Sequence, residues 1–231
     1  MLDCFTTRDW SALGLTLQLA AATSAILIVL ATPLAWWLTR SRSRLALLLE
    51  AIVALPLVLP PTVLGFYLLT LLGPHGVVGK AWAALGFEPL PFSFGGILLG
   101  SLVYSLPFAV QPLHNAFVAV GPRMLEVSAS LRATPLATFF YVVLPLSRRG
   151  FLTAAALSFA HTLGEFGVVL MLGGSIPRRT ETASIAIFRH VEALDLGAAH
   201  RLSAALALLC FVILLVTYAL NRRQLSLDLG A

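Results

Sequence analysis

The sequence predicts an all-α integral membrane protein with about five membrane-spanning helices. Three observations predict it. Of the 231 residues, 59% are hydrophobic and only 11% are charged, where a soluble domain has about 45–50% apolar and about 25% charged residues. The mean hydropathy is +0.94. The apolar residues are also gathered into continuous runs. So few charges cannot cover a water-facing surface, and a core of this size cannot hide the apolar excess, so that excess faces lipid.

Five runs are long enough to cross a hydrocarbon layer of about 30 Å, which takes about 20 helical residues. They are Leu13–Leu38, Leu45–Leu72, Phe94–Val118, Gly150–Leu172 and Leu202–Leu220. Helices are required because an open strand leaves backbone groups unpaired in lipid. A barrel is excluded because the runs are apolar throughout rather than alternating. The second run carries Pro56, Pro60 and Pro61. Each removes a helical hydrogen bond and crowds the preceding turn, so this helix is expected to kink or break there. Pro60, Pro61 and the adjoining Thr62 are either a plain kink or a bend that shapes a pathway.

The loops set the expected orientation. With the N-terminus outside, the cytoplasmic segments 40–44, 119–149 and 221–231 hold nine basic residues in 47 positions, and the outer segments 1–12, 73–93 and 173–201 hold six in 62. Basic residues concentrate on the cytoplasmic side, so the N-terminus is expected outside and the C-terminus inside. Trp36 and Trp37 beside Arg40 fit an interfacial aromatic belt. The first ten residues, MLDCFTTRDW, lack a basic leader region, and the apolar run after them is too long for a signal peptide, so they are expected to stay attached. The tail after Asn221 is expected to be too short for a regulatory domain. Gly96 with Gly100, and Ala160 with Gly164, have the spacing of close helix contacts in lipid.

Chemistry of the chain's own is not legible. Cys4 and Cys210 are too few for a disulfide framework. The net charge of +5 borders apolar runs instead of forming a basic stripe interleaved with aromatics, which argues against nucleic acid. The stretch from Gly73 to Lys80 comes near a phosphate loop, but Pro74 stands where glycine is needed and Ala81 where serine or threonine is needed. It reads as a turn-rich outer loop, and the chain is not expected to hydrolyse ATP. No catalytic residue, metal site or cofactor is expected. His161 and Glu165, four apart, have a spacing that can hold a metal, with no second ligand pair nearby.

Glu165 stands out because a charge deep in a bilayer is costly and normally faces a bundle interior or a wet cavity. At helical spacing Ser158, His161, Thr162 and Glu165 share a polar face. That face is either a satisfied network between helices or a contact with a translocation pathway or gate.

The inner segment, 119–149, reads as two short helices. Gly121-Pro122 starts the first and Thr134-Pro135 caps the second, with proline at its first position. Leu144-Pro145 ends it, and Arg148-Arg149 mark the return into the membrane. Leu125, Ser128, Ala129 and Leu131 give the first helix a small apolar face, suited either to a partner's groove or to the bilayer surface.

The stretch from Glu126 to Pro135, followed by Phe139-Phe140 and Leu144-Pro145-Leu146, resembles the EAA loop of ABC importer permeases. The resemblance implies a coupling helix that docks on a cytoplasmic ATPase, with Glu126, Val127, Ser128, Leu131 and Arg132 in the contact and Leu144 and Pro145 closing the loop. Val127 and Ser128 replace two alanines, and Arg132 replaces the usual glycine. If that glycine serves to allow a positive φ, arginine is costly in its place. Two further segments, Leu55–Tyr67 and Leu163–Gly167, are similar to stretches of the molybdate permeases, whose near relatives carry sulfate. The likeness runs from Trp10 to Arg223.

What the resemblance implies is a type I (MetI-like) ABC importer permease fold, with residues 1–231 as one transmembrane domain. It also implies a bacterial inner-membrane location and a homodimer with two ATPase subunits below. Above, a periplasmic binding protein delivers molybdate, or tungstate, sulfate or thiosulfate in its stead. A stand-alone secondary transporter is the alternative from another class. It would need coupling-ion sites and often internal repeats, and no clear repeat is visible. A membrane enzyme or scaffold is the third reading, and no nucleophile–base pair stands out for it.

Overall fold

The computed structural model describes residues 5–228, with side chains through Leu220. Cys4 and the side chains of Arg222 and Arg223 lie outside the described residues. The described chain is helical, in the order α1 (Thr7–Arg40), α2 (Arg44–Val58), α3 (Pro61–Leu72), α4 (Val77–Ala84), α5 (Phe94–Ser130), α6 (Pro135–Thr138), a π-helical turn (Phe139–Val143), α7 (Leu144–Leu146), α8 (Arg148–Leu163), α9 (Gly167–Gly173), α10 (Ala183–Glu192) and α11 (Leu196–Asp228). Five passages result: α1, α2 with α3, α5, α8 with α9, and α11.

The expected second span is two helices. Pro56 sits inside α2 without ending it, and the chain breaks at Leu59-Pro60, with Pro61 opening α3. At about 1.5 Å per residue neither piece alone crosses about 30 Å of hydrocarbon, whereas together they do. By length and composition α3 could instead be joined to α4 as Pro61–Ala84. Packing decides otherwise. α2 lies on the inner half of α5, where His114 Nε2 is 3.9 Å from Glu50 Oε1, and α3 lies on α9 beside its outer half. The close approach of α3 and α9 requires glycine: a Cβ on Gly65 would stand 2.8 Å from Met171 Cβ and 3.2 Å from Val168 Cα, and one on Gly167 would stand 2.7 Å from Pro61 Cβ.

The fourth span is broken too. α8 stops at Leu163 and α9 sets off at 61° to it. Both bends therefore meet at one level, Pro61 against Gly167. Gly100 packs on Leu172 and Val168 of α9 as a close helix contact, while Gly96 meets the backbone of Leu90 in its own preceding loop. Ala160 and Gly164 line a cavity, and a Cβ added to Gly164 would meet only the carbonyl of His161 in its own helix, at 3.9 Å.

Around α5 the bundle packs two cores. The inner one joins Leu27, Ala31, Ala35, Val110, Leu113, Phe117, Val143 and Ala154 of α1, α5, the inner loop and α8. The outer one joins Leu19, Ile97, Val168, Leu172 and Ile185. α11 leaves most of its apolar side chains uncovered, including Leu208, Phe211, Leu215 and Tyr218, as a lipid-facing helix does.

An ion network closes the end of the bundle at which α1 begins. Thr6 and Asp9 form a capping box at the start of α1. The Asp9 carboxylate accepts from His190 Nε2 at 2.8 Å and Arg189 Nη2 at 3.4 Å, and the Glu181 carboxylate accepts from Arg8 Nε at 2.6 Å and Arg189 Nε at 2.9 Å. Both carboxylates are buried. The segment 173–201, read from sequence as an outer loop, is thus a packed element built on α10.

Candidate functional site

Two regions of the molecule gather the residues singled out by sequence. The first is the inner loop. α5 changes direction at Gly121, whose φ of 75° and ψ of 160° need a residue without a Cβ. The short helix beyond it ends in a Schellman motif: Arg132 N–H donates to Ala129 O at 2.9 Å and Ala133 N–H to Ser128 O at 3.1 Å. Arg132 takes the left-handed position of that motif at φ 56°, so an arginine does occupy a positive-φ turn. Thr134 caps the next helix by accepting from Ala137 N–H at 3.2 Å, with Pro135 at its first position.

Leu144-Pro145 does not end this second helix, as the sequence reading expected. The wide π-helical turn before it bonds Leu144 N–H to Phe139 O and leaves room for the ring of Pro145, so the helix runs on to Leu146. Ser128 also departs from expectation. It is buried and shares a 2.7 Å hydrogen bond with Thr138, clasping the two short helices together rather than facing outward. Glu126, Val127, Leu131, Arg132 and Pro145 are exposed and Leu144 is half-buried. Leu131 is 78%, Leu136 71% and Tyr141 83% exposed, on a loop whose two short helices the Ser128–Thr138 bond ties together.

The sequence reading missed what anchors this loop. Trp36 of α1 packs on Phe117 of α5 and on Phe139 of the π-turn, each at 5.6 Å between ring centroids. Phe117 also meets Phe151 of α8 at 5.9 Å. Phe117, whose ring meets those of Trp36, Phe139 and Phe151, is therefore the hub of an aromatic joint, and Arg40 is stacked 5.0 Å over the Trp36 ring. Trp37 is 39% exposed. Three apolar aromatics spaced far apart in sequence carry no signal of such a joint beyond their distance from the inner ends of their helices.

The second region lies at the two bends. A cavity of about 510 Å³ is lined by Pro61, Thr62, Tyr104, His161, Glu165 and Gly167, among others. Pro61, Thr62, His161 and Glu165, far apart in the chain, are brought together here. Pro60 is the break itself. Ser158 and Thr162 are not in the cavity. Ser158 is buried against α1, donating to Ser24 Oγ at 3.1 Å, and Thr162 bonds Ser105 Oγ at 2.9 Å inside the α5–α8 contact. His161 Nδ1 bonds the same Ser105 Oγ at 2.9 Å, and the ring lies 4.0 Å from that of Phe108.

The shared helical face proposed for Ser158, His161, Thr162 and Glu165 does not form, because the helix has ended before Glu165. Glu165 sits in the bend, buried, and neither carboxylate oxygen has a hydrogen-bond partner among the described residues. His161 is held by Ser105 and by the rings of Tyr104 and Phe108.

Two spans broken at a common level and a loop clasped by Ser128 and Thr138 frame the site. The chain belongs to the family described as binding-protein-dependent transport system inner membrane component, whose sequence profile matches residues 13–226; it is a multi-pass protein of the inner membrane. It is 55% identical over 221 residues, 96% of this chain and 98% of the other, to the molybdenum transport system permease protein ModB of Azotobacter vinelandii. It is 34% identical over 191 residues, 83% of this chain and 68% of the other, to the sulfate transport system permease protein CysT of Salmonella typhimurium. The fold matches a chain in the crystal structure of a bacterial ABC transporter that imports alginate, with a TM-score of 0.77 at 18% identity, over 95% of this chain and 80% of that one. The type I ABC importer permease fold is thereby established.

Proposed function

We propose that this chain is the membrane-spanning permease subunit of an ATP-driven importer that carries molybdenum as molybdate. Two copies form the pathway between them, two ATPase subunits dock beneath, and a periplasmic binding protein delivers the anion from above. The N-terminus lies on the periplasmic side and the C-terminus in the cytoplasm. The observation that carries this reading is the inner loop. Val127, Leu131, Leu136 and Tyr141 stand exposed on a unit locked by Ser128–Thr138 and tied through Trp36 and Phe117 to α1, α5 and α8. A force applied there reaches three passages at once, as a rigid-body switch requires. The high likeness to a molybdenum permease supports molybdate as cargo. The weaker likeness to a sulfate permease supports the oxyanion class.

The bends of the second and fourth spans are the proposed gate, with Pro60, Pro61, Thr62, His161 and Glu165 at it. Ser158 and Thr162 act as helix clasps behind them. The test is uptake of radiolabelled molybdate into proteoliposomes holding the chain, its ATPase and its binding protein. Glu126→Lys should leave a folded permease whose uptake is lost with its ATPase contact. Unchanged ATP-dependent uptake in a verified assembly of that variant would refute the coupling role. Competition by unlabelled sulfate as effective as by molybdate would refute the cargo.

A further inference from the structure

Two amides are out of place in a membrane. Gln111 and Asn115 of α5 are exposed, and neither is hydrogen-bonded to any described residue. At about 1.5 Å per residue, Gln111 lies about 15 Å and Asn115 about 9 Å from the bend at Gly121. Gln111 therefore lies within about 30 Å of hydrocarbon, between its middle and the loop end of α5. An unpaired amide facing lipid there forfeits its hydrogen bonds, at a cost of several kcal/mol. Polar groups at such depth face a bundle interior or a water-filled cavity.

The surroundings say which. Gln111 and Asn115 stand on a ridge between two grooves. One groove, of about 360 Å³, is walled by α5 and α8 and includes Phe108, Thr153 and Leu157. The other, of about 310 Å³, holds Glu50 and His114. Tyr104, Phe108, Gln111 and Asn115 follow one another at helical spacing, so the ridge continues upward to the cavity at the bends, where Tyr104 and His161 meet. The groove beside α8 has no carboxylate or ammonium among its lining residues. It offers the amide N–H groups of Gln111 and Asn115, while the Thr153 hydroxyl donates to Arg149 O at 2.9 Å. A tetrahedral oxyanion accepts hydrogen bonds only, and hydrogen bonds to a charged acceptor are the strong ones. Neutral donors hold such an anion without trapping it. Glu50 on the far flank repels it and keeps its stay short.

We infer that Gln111 and Asn115 form a transient oxyanion-binding site in the inner half of the pathway, completed by the same two residues of a second copy. This rests on the permease reading above. Four amides around a twofold axis would then surround one tetrahedral anion.

The test uses the full transporter in proteoliposomes, reading uptake of radiolabelled molybdate, binding-protein-stimulated ATP hydrolysis and the size of the assembly. The double variant Gln111→Leu with Asn115→Leu should assemble and keep its stimulated hydrolysis within about twofold, while uptake falls about tenfold or more, the loss of one or two charge-assisted hydrogen bonds. Gln111→Glu should lose at least as much uptake by repulsion. Asn115→Gln should keep uptake within about threefold, because the donor is retained. Uptake within about twofold of wild type in the double leucine variant overturns the site. Loss of assembly in both Asn115→Gln and Gln111→Leu overturns it as well, marking a contact between copies. If the wild-type transporter carries sulfate and not molybdate, the cargo reading fails, and the same variants assayed with radiolabelled sulfate decide the amide site.

Discussion

Replacing Arg132 by glycine tests the inner loop at a single backbone angle. Arg132 holds φ 56° at the left-handed position that ends the first loop helix. Its side chain is exposed, so the substitution acts on the backbone and not on core packing. The left-handed conformation costs an L-residue about 1–2 kcal/mol. Glycine is free of that penalty but gives back about 0.5–1 kcal/mol in the freedom it gains when the turn opens. The net gain is about 0.5–1 kcal/mol, or about two- to fivefold in the opening equilibrium. The reporters are the amides of Arg132 and Ala133, which donate the two bonds that close the turn, at 2.9 and 3.1 Å. Native-state hydrogen exchange, corrected for intrinsic rates, should slow by that factor at residue 133 in Arg132→Gly. Arg132→Asn should fall in between, because asparagine tolerates this region, and Arg132→Val should exchange faster than wild type. Exchange that is unchanged or faster in Arg132→Gly refutes the argument that the turn geometry, rather than the arginine side chain, sets the stability of this loop.

Two further outcomes follow from packing and from the outer network. Gly65→Val should force α3 off α9, since even a Cβ would stand 2.8 Å from Met171 Cβ. A loss of about 1–3 kcal/mol is expected for such overpacking, read as a lowered melting temperature in detergent, with Gly14→Ala, whose added Cβ meets nothing within 4 Å, as the unchanged control. Arg189→Ala should cost about 1–3 kcal/mol, the loss of hydrogen bonds to charged groups, because buried Glu181 and Asp9 each lose a cation while keeping Arg8 and His190. Arg8→Ala should cost less. It is 38% exposed and serves only Glu181, and the melting temperatures of the two variants rank them.

The five apolar runs and the start of the second loop helix were legible because local chemistry dictates them. Long apolar runs must be helical in lipid, Thr134-Pro135 must start a helix, and Gly121-Pro122 must bend one. Their signals lie within a few residues of their effects. The breaks were harder. Pro56, Pro60 and Pro61 all carry the same local penalty, yet only the Leu59-Pro60 step breaks the span. The bend at Gly164–Phe166 has no proline at all, and α9 takes its direction from packing on α3 through Gly65 and Gly167. A helical reading through Glu165 was consistent with its neighbours' periodicity and was overturned by that packing.

By itself, then, the sequence determined the class of molecule, its five passages and the position of its inner loop, since hydrophobic length, proline and capping residues act locally. Only the tertiary structure decided which side chains meet. It set Thr62 beside His161 and Glu165 across three elements, turned Ser128 and Ser158 inward as clasps, made Trp36 and Phe117 the joint between loop and bundle, and left Gln111 and Asn115 exposed on α5. Those placements depend on crossing angles and on the two bends, which arise from contacts between residues distant in the chain and leave no periodic trace in it.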